Sequence, residues 1–160
     1  MRPLYLLAVL LLIPIGCSTG KRTVQPDASQ EDNIREAVFR YQFKHNASAF
    51  QNKTEVYFLK INDGDPSDQF MRRFEGHVPV VKKVSEATVS SSDVTGVKDR
   101  TTGQRGLIFN QRTIKWNESN EVEVDGGYYE AALSASGNTY SVVKDNDKWG
   151  ATKSEMHWIS

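Results

Sequence analysis

Only one stretch of this chain repeats with the period of a helix, and almost everything after it repeats with the period of a strand. Within residues 30–45, Ile34, Ala37, Val38 and Tyr41 fall at i, i+3, i+4 and i+7, which puts them on one helical face. Ser29 is placed to cap the start, Glu31 and Asp32 set negative charge at the positive end of the dipole, and Lys44 and His45 suit the last turn. Phe39 and Phe43 lie nearly opposite that stripe. A helix with apolar groups on two sides must touch two things: here, the main sheet and either a second helix or another subunit.

Residues 55–61 then read as a strand, and Asp65, as N-cap before Pro66, opens a short helix to Phe74 that Gly76 ends. Its Phe70, Met71 and Phe74 can meet Phe39 and Phe43. Alternating runs follow at 80–91, 107–116, 121–135, 139–144 and 149–158, with 92–106 as a polar loop or hairpin tip. The separating turns are Asn117-Glu118-Ser119-Asn120, Ser136-Gly137-Asn138 and Asp145-Asn146-Asp147. Before Gly126-Gly127 the apolar side chains fall on even positions (Val122, Val124). After it they fall on odd ones (Tyr129, Ala131, Leu133, Ala135). A strand that changes its inward register at a glycine pair needs a bulge or sharp bend there.

One helix followed by a curved meander of antiparallel strands, with a small helix inserted and a Gly-Gly bend, resembles the cystatin-like α+β arrangement that includes NTF2-like domains. The resemblance implies a long N-terminal helix packed on a curved antiparallel sheet, forming a cone whose concave side commonly holds a pocket. An open β-sandwich or small barrel with a peripheral helix is the alternative. The run from Tyr128 to Trp149 also looks like sequences of uncharacterised secreted bacterial proteins.

The chain opens with Arg2, an apolar run from Leu4 to Ile15, and then Gly16-Cys17. That run is shorter than the roughly 20 residues a spanning helix needs and matches a cleavable signal of about 7–15 apolar residues. Ile13-Pro14-Ile15-Gly16-Cys17 resembles the lipobox of bacterial lipoprotein precursors, which implies lipidation of Cys17 and cleavage before it. An ordinary signal peptide cut after Ser18 or Gly20 is the alternative. Several acyl chains, each contributing about 0.8 kcal/mol per buried methylene, give lasting attachment. The expected organisation is a signal at 1–16, a lipid-anchored tether at 17–29 and a single α+β domain at 30–160. The expected location is the bacterial cell envelope, on the outer membrane or the periplasmic face, with secretion as the alternative. Cys17 is the sole cysteine, so no internal disulfide supports the fold.

Without residues 1–16, 144 residues remain, the size of one domain. Twenty acids balance twenty bases, and losing Arg2 moves the formal charge from 0 to −1. No long-range field attracts nucleic acid, so none is expected as a partner.

No strong catalytic motif is present: no phosphate loop, no His-Glu-x-x-His, no Gly-x-Ser-x-Gly. His45, His77 and His157 are scattered without metal-ligand spacing, and neither cofactor nor metal is expected. His45 falls on the stripe of Ile34, Val38 and Tyr41. In a cystatin-like cone, a buried imidazole there, beside Tyr41 and an acid such as Glu130, can serve as acid/base or hold a polar ligand. Read instead as a helix-terminal residue, His45 is partly exposed. Aromatic residues on the strands, among them Tyr128, Tyr129, Tyr140, Trp149 and Trp158, either fill a core or present a row for glycans or peptides. The function expected from these features is a lipid-anchored, non-catalytic envelope domain that binds a ligand or a protein. The alternative is an NTF2-like pocket protein or small-molecule enzyme centred on the cavity between helix and sheet. A protein partner or homodimer is expected through Phe39 and Phe43.

Overall fold

The computed structural model describes residues 27–90 and 96–160. The signal, the lipobox and Cys17 lie outside the described residues, as does most of the tether. The chain is α+β, with a mixed six-stranded sheet and few helices. Helix α1 spans Ala28–Lys44. Its cap is Asp27 rather than Ser29: the Asp27 carboxylate accepts from the backbone N–H and the hydroxyl of Ser29. The expectation of a long N-terminal helix is corrected. The 17 residues of α1 cover about 25 Å, less than the roughly 40 Å of a 12-residue strand.

After α1 come β1 (Val56–Ile61), the short helix α2 (Asp68–Met71) with a 3-10 turn through Phe74, and β2 (Val80–Lys83). Ser67 caps α2 by accepting from the Phe70 N–H at 3.1 Å, while Asp65 accepts from the Ser85 N–H instead. A small antiparallel pair, β3 (Ala87–Val89) and β4 (Val97–Asp99), precedes four long strands. These are β5 (Gly106–Glu118), β6 (Glu121–Ala131), β7 (Ser134–Asp145) and β8 (Lys148–Ile159). The strand order is β2-β1-β5-β6-β7-β8.

The meander β5 to β8 is antiparallel, but β1 runs parallel to both β2 and β5, so the sheet is not the wholly antiparallel one expected. The segment carrying α2 is the crossover that a parallel β1–β2 pair requires. The turn expected at Ser136-Gly137-Asn138 is absent. Those residues lie inside β7, and the chain reverses at Ala132 and Leu133. Asn146 and Asp147 do form the β7–β8 turn, both in the left-handed region with φ of 46° and 63°.

Both stripes of α1 are buried within the chain. Ile34 and Val38 pack on Val122, Val124, Tyr140 and Val142, with Ala37 and Tyr41 at the edge. Phe39 and Phe43 enter a second cluster with Tyr57, Leu59, Phe70, Phe74, Leu107, Phe109 and Tyr128. The ring of Phe39 lies 6.0 Å from Phe70 and 6.3 Å from Phe74. Phe39 and Phe43, the residues through which a partner or homodimer was expected, are 0% and 6% exposed, with Phe70 and Phe74 of α2 and its 3-10 turn packed against them. On the opposite face of the sheet, the β3–β4 pair covers Val56, Phe58 and Ile108.

The register switch falls on β5 rather than β6. In β6, Val122, Val124 and Tyr128 stay on the helix face, while Tyr129 packs with the cluster on the other side. In β5, Leu107, Phe109 and Gln111 reach α1 from odd positions, and Ile114 and Trp116 from even ones. Between Gln111 and Ile114 one extra residue is inserted opposite Gly126 and Val124. This bulge needs a glycine across from it, because a Cβ on Gly126 would run into the Asn110 carbonyl.

Candidate functional site

Helix α1 ends on the sheet at a hollow of about 320 Å3. Phe109 and Tyr128 form its apolar floor. Ser136, Asn138 and Tyr140 of β7, with Ser154 and Met156 of β8, form one side, and His45 to Ala47 form the rim. The rim is held by the helix end itself. The His45 N–H donates to the Tyr41 carbonyl, Asn46 Nδ2 to the Gln42 carbonyl, and Gln51 Nε2 to the Phe43 carbonyl. The last carbonyls of α1 thus have partners before any ligand arrives.

Gln42 ties this helix end to the sheet. It is 1% exposed. Its Nε2 reaches the Gly127 carbonyl at 3.1 Å, the Asn110 carbonyl at 3.3 Å and the Tyr140 hydroxyl at 3.2 Å. Burial pushes the Tyr140 hydroxyl up to about 12, and the Gln42 donor offsets this only in part. Tyr140 therefore keeps its proton at ordinary pH. Having accepted from Gln42, it presents an O–H donor at the edge of the hollow.

The three residues singled out for this pocket are not brought together. Tyr41 and His45 are: their rings meet at a 37° tilt with centroids 4.5 Å apart, and Tyr41 meets Tyr140 edge-on at 6.0 Å. His45 is exposed, so the buried imidazole is corrected to a rim residue. Glu130 does not line the hollow. It is buried, and its Oε2 accepts from Ser48 at 2.8 Å and Ser134 at 2.7 Å. There it ties the loop after α1 to the β6–β7 turn, and no hydrogen bond joins it to His45 or Tyr41.

Gln42, Ser136 and Asn138 are the site residues the sequence reading missed. Gln42 carried a signal: it continues Ile34 and Val38 at i+8, a polar residue on an apolar stripe. Ser136 and Asn138 carried a misleading one, since Ser-Gly-Asn reads as a turn. Both are buried, and Ser136 Oγ donates to Asn138 Oδ1 at 2.7 Å.

Apart from the imidazole of His45, the lining is uncharged. Among the described residues no group of His, Cys, Asp and Glu is placed to hold a metal ion. Among them, too, no helix is long and apolar enough to cross a membrane. The arrangement can exchange hydrogen bonds with a small polar ligand over an aromatic floor. Comparisons with protein-family models, curated proteins and solved structures find no match.

Proposed function

We propose that this chain is a lipid-anchored protein of the bacterial cell envelope whose single domain binds a ligand or a protein without catalysing a reaction. The export signal ending in Cys17 supports the anchor and the location. The hollow beside His45 is the observation that carries the binding function, with neutral hydrogen-bonding groups above Phe109 and Tyr128. The finer description of the fold, a cystatin-like or NTF2-like cone, is supported by α1 lying on the bulged meander β5–β8 and by the β1–α2–β2 segment that follows α1. Two measurements test this reading. Metabolic labelling with a fatty acid should mark the mature protein, and Cys17→Ser should abolish the label. A small-molecule screen should find ligands whose binding Asn138→Leu blocks by filling the hollow. Ligands that bind Asn138→Leu as tightly as the parent protein would remove the pocket from the account.

The alternative, a small-molecule enzyme at the same cavity, draws support from the imidazole of His45 and the proton-bearing hydroxyl of Tyr140, which both line it. On that reading, His45→Ala abolishes turnover of a bound compound while leaving its binding intact.

A further inference from the structure

The sheet face turned away from α1 carries a second hollow, of about 570 Å3. Gly127 of β6 and Gly137 of β7 stand side by side in register, Asn110 of β5 and Trp158 of β8 complete the row, and Asn110, Gly137 and Trp158 of that row line the hollow. The indole of Trp158 lies across Gly137, where any Cβ would run into it. The ring thus rests on bare backbone, while the residue stays 54% exposed. Tyr129 stands two pairs along the sheet, opposite Ala135, as a second aromatic bordering the hollow.

On the other side of the glycines runs a hydrogen-bonded chain. Thr139 Oγ1 donates to Asp125 Oδ1 at 2.8 Å. Its one proton is then committed, so its 2.8 Å contact with His157 Nε2 has the imidazole N–H as donor. That ordering leaves Nδ1 of His157 and the second carboxylate oxygen of Asp125 as acceptors on two residues that line the hollow with Trp158.

A flat, half-exposed aromatic, a floor without side chains and acceptors of fixed direction match a particular ligand shape. A pyranose ring offers an apolar C–H face to an aromatic and a rim of hydroxyl donors to its surroundings. We propose that this outer face binds a neutral saccharide, its ring stacked on Trp158 and its hydroxyls donating to Asp125 and His157. The site lies on the opposite face of the sheet from the hollow at the end of α1, with which it shares Tyr128, Ser136 and Asn138 as lining. A second copy of this chain fits the face less well. It would bury Asp125 and His157 against apolar surface, and bulges at Thr152 and His157 disrupt β8 as an edge for strand pairing.

The test is a titration of the full mature chain, held in a sugar-free zwitterionic detergent, with cellotetraose and with the β-1,4-linked tetramer of N-acetylglucosamine. Tryptophan fluorescence is the readout for the parent chain, and isothermal titration calorimetry measures the parent and every variant, since Trp158 is itself the reporter. At least one tetrasaccharide should give a saturable change, and Trp158→Ala should weaken it by about tenfold or more. Trp158→Tyr, which keeps an aromatic face, should retain measurable binding, and Asp125→Asn should weaken it without disturbing the fold. The proposal is overturned if neither tetrasaccharide binds saturably up to about 10 mM, a limit that weak binders of this kind still meet. It is overturned equally if Trp158→Ala binds like the parent protein, or if the fluorescence changes on dilution alone, which would assign the face to a second copy.

Discussion

Replacing Gln42 tests whether one amide holds the end of α1 against the sheet. Its two Nε2 hydrogens serve three acceptors at 3.1–3.3 Å, the Gly127 and Asn110 carbonyls and the Tyr140 hydroxyl. At about 1 kcal/mol net for each hydrogen, Gln42→Ala forfeits about 2 kcal/mol. The buried volume it vacates adds about 1 kcal/mol if the site does not collapse. Against this, Oε1 has no partner, and removing an unsatisfied buried oxygen returns about 1 kcal/mol. The expected net loss is about 2 kcal/mol for Gln42→Ala and about 1 kcal/mol for Gln42→Leu, which refills the space. Urea unfolding followed by tryptophan fluorescence measures both, with an unchanged slope confirming that only stability moved. Because the Gln42 donor lowers the Tyr140 hydroxyl from where burial alone would put it, ultraviolet titration of Gln42→Leu should show that tyrosine ionising at still higher pH. If Gln42→Ala unfolds within about 0.5 kcal/mol of the parent, the usual range for a surface change, the reasoning about this clamp is refuted.

Three further outcomes follow from the packing. Phe39→Ala should destabilise by about 3–5 kcal/mol and leave the sedimentation of the folded protein unchanged, since Phe39 is covered by α2 rather than by a partner. Gly126→Ala should destabilise far more than an alanine at exposed Gly150, because its Cβ meets the Asn110 backbone while nothing lies near the other; equal thermal midpoints would contradict the bulge geometry. Lys82, followed by the Thr102 and Thr101 N–H groups, holds the Asp99 carboxyl well below its usual range. A folded-state value below the unfolded one gives stability that is complete above about pH 4 and is lost as pH falls toward the folded value. Asp99→Asn should therefore lower stability at neutral pH and flatten the acid limb measured between about pH 4 and 2.

Much of the architecture was legible because it rests on local periodicity. The stripe of Ile34 and Val38, the opposing Phe39 and Phe43, the strands β1, β5 and β8 and the Asn146-Asp147 turn all follow from residue spacing and left-handed preference. What escaped depends on neighbours distant in sequence. Gly137 is small because Trp158 lies on it, not because the chain turns there. The turn at Ala132-Leu133 carries no turn former, and Leu133 is simply left 87% exposed. The Gly126-Gly127 pair did mark a bulge, but the inserted residue sits on β5, which no reading of β6 alone could assign. Parallel pairing of β1 with β2 and β5 has no signature in strands as short as β1 and β2. Of the pocket, His45 was placed on the right helix end, whereas Glu130 was misassigned because its role with Ser48 and Ser134 is set by the loop after α1.

On the function proposed above, a folded binding domain is held at a bilayer through Cys17. Intact-mass measurement of the protein recovered from the membrane fraction tests this most directly. The predicted result is a chain beginning at Cys17 and heavier than its 144 residues by a diacylglyceryl group and an amide-linked acyl chain. A mature chain that begins at any other residue, or that carries Cys17 as a free thiol, would contradict it.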